Sequence, residues 1–340
     1  MQHLFSQIQG RSVLITGGAG YIGRITHALF EQAGATVWVL DNFSGGQHPL
    51  RTKRFLQLDL LDSSSLQQVF TEHAFDIVIH LAGKIDVGES VRRPDFYWEQ
   101  NVLGTQNLLN AMHGYSKNII FASSAAVYGE HAYPVTERTS CHPTSPYGQG
   151  KLEGEHLIAK HSPSSIIFRL FNVAGAIPHP ESVKQTLGED HQPETHLIPR
   201  IIQQHLQGQS FSIYGNQYPT PDGTCIREYI HVYDVARAFL YGANQLLSKH
   251  PSQYQRTYNL SSGIAHSVLE VIQQLSNLSL QYSYGPIHYT IDNARHGDPS
   301  HITSSISPIE QALNWTPVHS SLQNILKTAW QHQLNHLDKA

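Results

Sequence analysis

A glycine-rich turn near the start of the chain constrains the fold more than any other feature of the sequence. The segment TGGAGYIG, residues 16–23, stands between the apolar run Ser12–Thr16 and an amphipathic pattern over Tyr21–Gly34. Glycines at this point permit a tight turn and let backbone N–H groups approach a pyrophosphate at the N-terminus of the following helix. A glycine motif alone is weak evidence, but its place after a strand and before a helix is the context that dinucleotide binding requires.

The residue that ends the second apolar run indicates which dinucleotide is bound. Asp41 follows the run Thr36–Leu40 and lies 18 positions after Gly23. A carboxylate there accepts the hydroxyls of the adenosine ribose and repels a 2′-phosphate, and no arginine directly follows it, so NAD is favoured over NADP. Asp59, after the third run, has two interpretations that the sequence leaves open: a contact with the adenine or a helix cap.

Short apolar runs alternate with helical patterns along the first half of the chain. The pattern predicts strands at Ser12–Thr16, Thr36–Leu40, Arg54–Leu58, Asp76–His80, Asn118–Ala122 and Ser165–Arg169. It predicts helices at Tyr21–Gly34, Ser63–His73 with Ser63 as cap, Tyr97–His113 and Tyr147–His161. Such alternation is typical of an α/β protein with a doubly wound, Rossmann-type parallel sheet.

The second half of the chain indicates a smaller unit attached to this sheet. We assign residues 1–175, with returning segments, to an NAD-binding Rossmann domain, and residues 176–340 mainly to a C-terminal α/β substrate lobe. The irregular stretch His179–Pro199 is interpreted as a loop that covers the substrate.

Composition excludes several other classes of protein. Lys+Arg 22 against Asp+Glu 26 gives a net charge of −4, which is unlike the basic face of a nucleic-acid-binding protein. Two cysteines cannot form a disulfide framework, no apolar run reaches the ~18 residues of a membrane span, and the N-terminus lacks the pattern of a signal peptide. We therefore expect a cytoplasmic protein that binds neither membranes nor nucleic acid.

The 23 histidines do not by themselves predict a metal site. His288, His296 and His301 lie near one another in sequence, as do His191 and His196, but neither set has the ligand spacing of a helix or hairpin. We interpret them as solvated surface residues and predict no metal.

A tyrosine and a lysine one helical turn apart suggest acid–base chemistry. In the segment SPYGQGK, Ser145 is a candidate cap and Tyr147 and Lys151 share one helix face. An ammonium near a phenol favours the phenolate, which can take a proton from a sugar hydroxyl and return it. Ser124, just past the fifth predicted strand, is placed to hydrogen-bond the same hydroxyl. Gly148 and Gly150 weaken this helix and indicate close packing against a neighbour.

Taken with the glycine turn and Asp41, these residues give the chain a resemblance to the extended short-chain dehydrogenase/reductase family. Within that family it is similar to the branch of the UDP-glucose 4-epimerases over nearly its whole length. The resemblance rests on the segments GGAGYIG, LDNFSGG, HLAG, VGES, SSAAVYG, SPYGQGK, RLFNVAGA, GEDHQPETHLIP, IYGNQYPTPDGTCIREYIHVYDVA, YNLSSG and RHGD.

The resemblance implies a reaction and a set of residues. It implies inversion at C4 of a UDP-hexose through a transient 4-keto sugar, with NAD retained, and catalysis by Tyr147, Lys151 and Ser124. The implied NAD ligands are Gly17, Gly20, Tyr21, Ile22, Gly23, Asp41, Asn42, Asp59, Leu60, Leu81, Ala82, Gly83, Asn101, Ser123, Tyr147, Lys151 and Phe171. The implied UDP-sugar ligands are Ser124, Tyr147, Asn172, Leu197, Ile213, Tyr214, Arg227, Arg295, Asp298 and Ile302. The family also implies a homodimer through the helices Tyr97–His113 and Tyr147–His161.

Several departures and alternatives remain open at the level of sequence. Lys84 precedes by one position the place where some members carry a lysine, which is Ile85 here, and Gly150 replaces a usual serine. Ile302, at a position that sets room for an N-acetyl group, is intermediate in size. The alternatives are a 4-epimerase of UDP-N-acetylhexosamine, UDP-pentose or UDP-uronate, a non-catalytic NAD-binding regulator, or an ordinary dehydrogenase, which would release NADH. A 4,6-dehydratase is disfavoured, because Ala125 and Ala126 stand where relatives carry Asp-Glu.

Overall fold

The computed structural model describes residues 5–45, 52–131, 134–180, 182–248, 254–294 and 299–337. The elements of the first half are β1 (Ser12–Thr16), α1 (Tyr21–Gln32), β2 (Thr36–Asp41), β3 (Phe55–Gln57), α2 (Ser63–Glu72), β4 (Ile77–His80), α3 (Val87–Arg92), α4 (Pro94–Trp98), α5 (Gly104–Met112), β5 (Asn118–Ser124), α6 (Pro146–His161) and β6 (Ser164–Leu170). A π-helical turn, Glu99–Leu103, joins α4 to α5, and a 3₁₀ turn, Ala125–Val127, follows β5.

The second half is built from shorter strands and four further long helices. Its elements are β7 (Asn172–Ala174), β8 (Ile177–His179), β9 (Ser182–Leu187), α7 (Leu197–Leu206), β10 (Phe211–Tyr214), β11 (Ile226–His231), α8 (Val232–Ser248), β12 (Tyr254–Leu260), β13 (Ala265–Ser267), α9 (Val268–Gln281), β14 (Tyr289–Asp292), β15 (His301–Ile302), α10 (Ser307–Leu313) and α11 (Leu322–Leu337).

The central sheet has seven parallel strands in the order β12-β6-β5-β4-β1-β2-β3. The strand order reverses direction between β1 and β4, and a ligand crevice is expected at the carboxyl ends of strands at such a switch point. This arrangement confirms the predicted doubly wound parallel sheet with a smaller C-terminal lobe. The sheet also recruits β12, a strand from the second half of the chain.

Alternate residues of the sheet face two helical layers. In β1, Val13 and Ile15 pack into a core with α1 and α8, whereas Leu14 packs into a core with α2 and α5. Side chains of successive strand residues point to opposite faces, so a buried parallel strand has to be apolar on both. The C-terminal lobe has its own core between α7, α9 and α11, with Trp330 fully buried in it.

Three details of the predicted elements are corrected by the structure. The cap of α2 is Asp62, whose carboxylate accepts from Ser65 N, and not Ser63. The predicted continuous helix Tyr97–His113 is interrupted by the π-helical turn. The stretch Pro193–His196 is irregular, but β9 occupies part of the predicted loop and pairs with β8. The described residues contain no helix long and apolar enough to cross a membrane.

Candidate active site

A cavity of about 780 Å³ follows the edge at which the parallel strands of the central sheet end. Most of the predicted cofactor ligands line it: Gly17, Gly20, Tyr21, Ile22, Gly23, Asp41, Asn42, Asp59, Leu60, Leu81, Ala82, Gly83, Ser123, Tyr147, Lys151 and Phe171. Ser124 and Asn172, predicted to contact the substrate, line the same cavity. One continuous space therefore joins the glycine turn to the tyrosine and lysine.

The glycine turn forms a cradle that side chains could not occupy. Gly17 has φ +69°, and a Cβ there would lie 2.6 Å from the backbone N of Ala82. A Cβ on Gly23 would lie 2.6 Å from Cα of Gly18. Helix α1 begins at Tyr21 without a side-chain cap, so N–H groups of its first turn remain for an anion. These features fit the pyrophosphate of a dinucleotide.

The carboxylates beyond the cradle are held by backbone N–H groups and by the side-chain amide of Asn42. Asp41 accepts from Ala19 N at 3.0 Å and from Phe43 N at 2.8 Å. Asp59 accepts from the Asn42 amide at 2.8 Å and from Leu61 N at 2.9 Å. Since Asp62 caps α2, the helix-cap interpretation of Asp59 is wrong, and its carboxylate instead contributes to the cavity wall.

Ser124, Tyr147 and Lys151 come together from β5 and α6. Ser124 ends β5, and its hydroxyl accepts from Ala126 N. Ser145 caps α6, as predicted, by accepting from Gly148 N at 3.1 Å. A Cβ on Gly148 would lie 2.6 Å from the Ala126 carbonyl oxygen, so this glycine permits α6 to approach the turn after β5.

Gly150 does not have the same role. A Cβ there would meet nothing nearer than 3.7 Å, which is ordinary van der Waals contact. The expectation of close packing is therefore confirmed for Gly148 and wrong for Gly150.

The electrostatics of the tyrosine–lysine pair differ from the prediction. Burial raises the pKa of Tyr147, and a hydrogen bond with Ser124 opposes that rise. Burial also lowers the pKa of Lys151 to about 8, although the Glu155 carboxylate acts to raise it. The ammonium donates to the Ala122 carbonyl oxygen at 2.8 Å and lies 6.0 Å from the centre of the Tyr147 ring. The prediction that Lys151 lowers the pKa of Tyr147 is wrong for this arrangement.

A buried ion pair between β6 and α6 lies next to Ser123 and supports this part of the site. Arg169 of β6 donates to Glu155 of α6 at 2.7 Å, and the Ser123 hydroxyl donates to the same carboxylate at 2.5 Å. Arg169 also donates to Tyr128 Oη at 3.0 Å. Ser123 therefore joins β5 to α6 directly beside Ser124 and Lys151.

Asn101, which was predicted to contact the cofactor, does not line the cavity. It is buried in the π-helical turn, and its side chain accepts from Lys84 N at 2.7 Å and donates to Lys84 O at 2.9 Å. It thereby holds the loop after β4, which includes Gly83. Lys84 lines the cavity itself, and its ammonium lies 3.0 Å from Ser44 Oγ.

The remaining predicted substrate ligands among the described residues lie outside the cavity lining. Leu197 begins α7, and Ile213 and Tyr214 belong to β10. Arg227 of β11 is the register partner of Ile302 in β15. Ile302 packs against the apolar cluster that contains Phe171, a lining residue. Arg295 and Asp298 lie outside the described residues.

Asn172 connects the two lobes at this point. Its strand β7 pairs with β11 in parallel, and its amide donates to the Glu228 carbonyl oxygen at 2.9 Å. Asn172, Arg227 and Ile302 therefore belong to adjoining strands of one small sheet.

The cavity also includes residues that the sequence analysis did not assign to it. Charged and imidazole side chains complete one wall: Glu89, Arg92, Arg93, Glu189, His191 and His196. The interpretation of His191 and His196 as solvated surface residues holds only in part: their side chains are 27% and 38% exposed, but both face the buried carboxylate of Glu189. The only signal in the sequence was their position in the irregular segment before α7.

The chain is similar in sequence to proteins of known activity. A family model described as "NAD dependent epimerase/dehydratase family" matches residues 13–260. A UDP-glucose 4-epimerase of Halalkalibacterium halodurans is 38% identical over 333 residues, which cover 96% of each chain.

Solved structures of similar proteins share the fold. A UDP-glucose 4-epimerase from Brucella ovis, in complex with NAD, has a TM-score of 0.87 at 36% identity and covers 95% of this chain and 98% of its own. A UDP-glucose 4-epimerase from Bifidobacterium longum, in complex with NAD⁺ and UDP, has a TM-score of 0.85 at 32% identity and covers 97% of this chain and 100% of its own.

Proposed function

The chain belongs to the family of NAD-dependent epimerases and dehydratases, and from that membership we propose that it inverts C4 of a UDP-hexose, interconverting UDP-galactose and UDP-glucose. The observation that carries the proposal is the shared cavity, which is lined both by the glycine cradle and by Ser124, Tyr147 and Lys151. The similarity to a protein solved with both NAD⁺ and UDP supports the same substrate class.

The residues present fit NAD and divide its binding between them. The cradle of Gly17, Gly20 and Gly23 receives the pyrophosphate, and Asp41 receives the adenosine ribose. Lys151 holds the second ribose near the reacting end. Bound there, NAD would supply the hydride acceptor for oxidation at C4 of the sugar and the hydride donor for the reduction that follows.

Tyr147 is the acid and base of the proposed reaction. Its phenolate oxygen takes the proton of the sugar O4 hydroxyl as the ketone forms, and its phenol gives the proton back as the alcohol reforms. Ser124 hydrogen-bonds the same hydroxyl and orients it toward Tyr147. Because burial raises the pKa of Tyr147, a cationic charge close to the phenol is needed for the phenolate to form near neutral pH.

Inversion needs the sugar to turn over while the nucleotide stays bound. We propose that Asn172, Arg227 and Ile302, which share one small sheet, border the UDP-sugar with Leu197, Ile213, Tyr214, Arg295 and Asp298. Arginine suits a pyrophosphate because its guanidinium donates two parallel hydrogen bonds. A remote anchor of this kind would keep the 4-keto sugar bound while it turns over in the cavity.

Proton NMR of the purified protein with UDP-galactose, without added NAD, tests the proposal. We expect UDP-glucose to form, and we expect Tyr147→Phe to bind NAD but lose nearly all turnover, because it lacks the group that moves the proton. Tyr115→Phe is the matched control, since Tyr115 is 48% exposed and lies outside the cavity lining. Unchanged turnover in Tyr147→Phe would exclude this mechanism. Turnover only with UDP-N-acetylgalactosamine, a UDP-pentose or a UDP-uronate would replace the proposed substrate.

We further propose a homodimer through the segments Tyr97–His113 and Tyr147–His161. Trp98 and Leu103 support it, since these large apolar side chains are 47% and 45% exposed on the first segment. Sedimentation should give twice the chain mass of 38.0 kDa, and Trp98→Glu should lower it toward one chain. A single-chain mass for the unmodified protein at micromolar concentration would contradict the proposal.

We also propose that the protein works in the cytoplasm. Its two cysteines form no disulfide within the described residues, as is usual in a reducing compartment. Cell fractionation with a marker for each compartment tests this location.

A further inference from the structure

The segment between β9 and α7 contributes two imidazoles and one carboxylate to the cavity lining, and it places a second carboxylate, that of Glu194, beside them. Glu189 follows β9, and His196 directly precedes α7. Nδ1 of His191 contacts Oε1 of Glu189, and Nδ1 of His196 lies 3.7 Å from Oε2 of the same carboxylate. One ligand atom from each of these three side chains lies within 4.8 Å of the others.

Glu194 adds an unexplained feature to this cluster. Its Oε1 accepts from N of His196 at 2.7 Å and lies 3.0 Å from Nδ1 of the same residue. Its Oε2 is buried and has no hydrogen-bond partner among the described residues, and the side chain is only 2% exposed. An unpartnered buried carboxylate oxygen is costly unless a cation or proton compensates it.

From this geometry we propose that Glu189, His191 and His196, supported by Glu194, bind one divalent transition-metal ion of the Zn²⁺ type. Such ions take imidazole nitrogen and carboxylate oxygen at about 2.0–2.2 Å. Two ligands bonded to one ion at those lengths lie at most about 4.4 Å apart. The three side chains are therefore within a small rotation of a coordination shell, and the half-exposed imidazoles leave a path from the cavity.

The donor set also decides which ions compete. Two imidazoles favour Zn²⁺, Cu²⁺, Ni²⁺ and Co²⁺ over Mg²⁺ and Ca²⁺, which prefer shells of oxygen alone. A second group, formed by Asp190, His332 and His336, also brings its ligand atoms within 4.8 Å. It is the weaker candidate, because Asp190 already forms a direct ion pair with Arg24 at 3.1 Å.

Equilibrium dialysis of Zn²⁺ against the untagged full chain, with NAD bound, tests the proposal independently of turnover. We expect one tightly bound ion per chain, with a Kd raised at least about 10- to 100-fold in His191→Gln and in Glu189→Gln. His336→Gln, which removes an exposed imidazole from the second group, should bind Zn²⁺ like the unmodified protein. Mg²⁺ should not compete at equal concentration.

Thermal unfolding supplies a second measurement that does not depend on any one variant. Because a ligand that binds only the folded state stabilises it, Zn²⁺ should raise Tm of the unmodified protein and of His336→Gln but not of His191→Gln. If Glu189→Gln does not fold, His191→Asn provides another test at a half-exposed position. Equal affinity in His191→Gln, loss of binding in His336→Gln, or no saturable site in the unmodified protein would each overturn the proposal.

Discussion

Neutralising Glu155 tests how a buried ion pair supports the active-site corner. In Glu155→Gln the side chain keeps its shape, but the Arg169 guanidinium loses the carboxylate that accepts from its Nε at 3.0 Å and from its second terminal nitrogen at 2.7 Å. Both side chains are nearly fully buried, at 7% and 8% exposure. Removing one partner of such a pair leaves a charge inside the protein without compensation.

The expected loss of stability follows from that burial. Breaking a buried ion pair on one side costs about 3–5 kcal/mol of unfolding free energy. At about 2 °C per kcal/mol, the lower end for larger domains, Tm should fall by about 6–10 °C. Glu153→Gln is the matched control on the same helix, because Glu153 is 40% exposed and its pair with the exposed His156 is worth about 0–1 kcal/mol.

The same substitution should change the titration of Lys151, one helical turn away. The Glu155 carboxylate acts to raise the pKa of Lys151, which burial lowers to about 8, so Glu155→Gln should lower this pKa further. The ammonium is the form present at low pH, and it is lost as pH rises through that pKa. Turnover that needs the ammonium should therefore begin to decline at a lower pH in Glu155→Gln than in Glu153→Gln.

Differential scanning fluorimetry and a pH profile of turnover measure the two effects. A double-mutant cycle with Arg169→Met isolates the pair, because the second substitution should cost less once Glu155 is neutral. Equal Tm values for Glu155→Gln and Glu153→Gln would refute the stability argument. An unshifted alkaline limb would refute the coupling to Lys151 while leaving the stability argument intact.

Two further predictions concern cofactor binding. Gly17→Ala should lose both NAD affinity and stability, because φ at this position is +69° and the added Cβ would lie 2.6 Å from Ala82 N. Titration calorimetry and thermal unfolding measure the two losses. Gly114→Ala is the control: φ is +83° there but a Cβ would meet no atom within 4 Å, so this variant should show only the cost of the backbone angle, about 1–2 kcal/mol of stability. Asp41→Asn should weaken the affinity for NAD about 10- to 100-fold, since hydrogen bonds to a charged group are worth about 1.5–3 kcal/mol. It should also reduce the ratio of the affinities for NAD and NADP. An unchanged affinity for NAD would contradict the assignment of Asp41 to the ribose.

Much of the dinucleotide half of the fold was predictable, because its signals are local. Buried parallel strands read as short apolar runs, and the predicted starts of β1, β2 and α1 agree with the structure. The Ser145 cap and its Gly148 donor are neighbours in sequence, so the beginning of α6 was also predictable. The predicted cap of α2 was wrong by one residue, because Asp and Ser are both favourable N-cap residues and Asp62 stands directly before Ser63.

Features that depend on distant contacts could not be predicted in the same way. Nothing local in Glu155 or Arg169 indicates that they pair, since the contact depends on how α6 lies over β6. The pKa of Tyr147 depends on its depth of burial and on the direction of the Lys151 ammonium, which turns to the Ala122 carbonyl. Glu189 is only two and seven positions from His191 and His196, but the sequence does not show how the segment between β9 and α7 turns these side chains toward one another.

The sequence by itself determined the class of the fold, the cradle for the dinucleotide and the identity of the tyrosine and lysine. Those are encoded in apolar periodicity, in glycines placed where only glycine fits, and in residues one helical turn apart. Only the tertiary structure decided which charges face one another. It joined Glu155 to Arg169, turned Lys151 toward Ala122, and brought two histidines to one carboxylate, because electrostatic energies depend on distance and burial, which chain order does not specify.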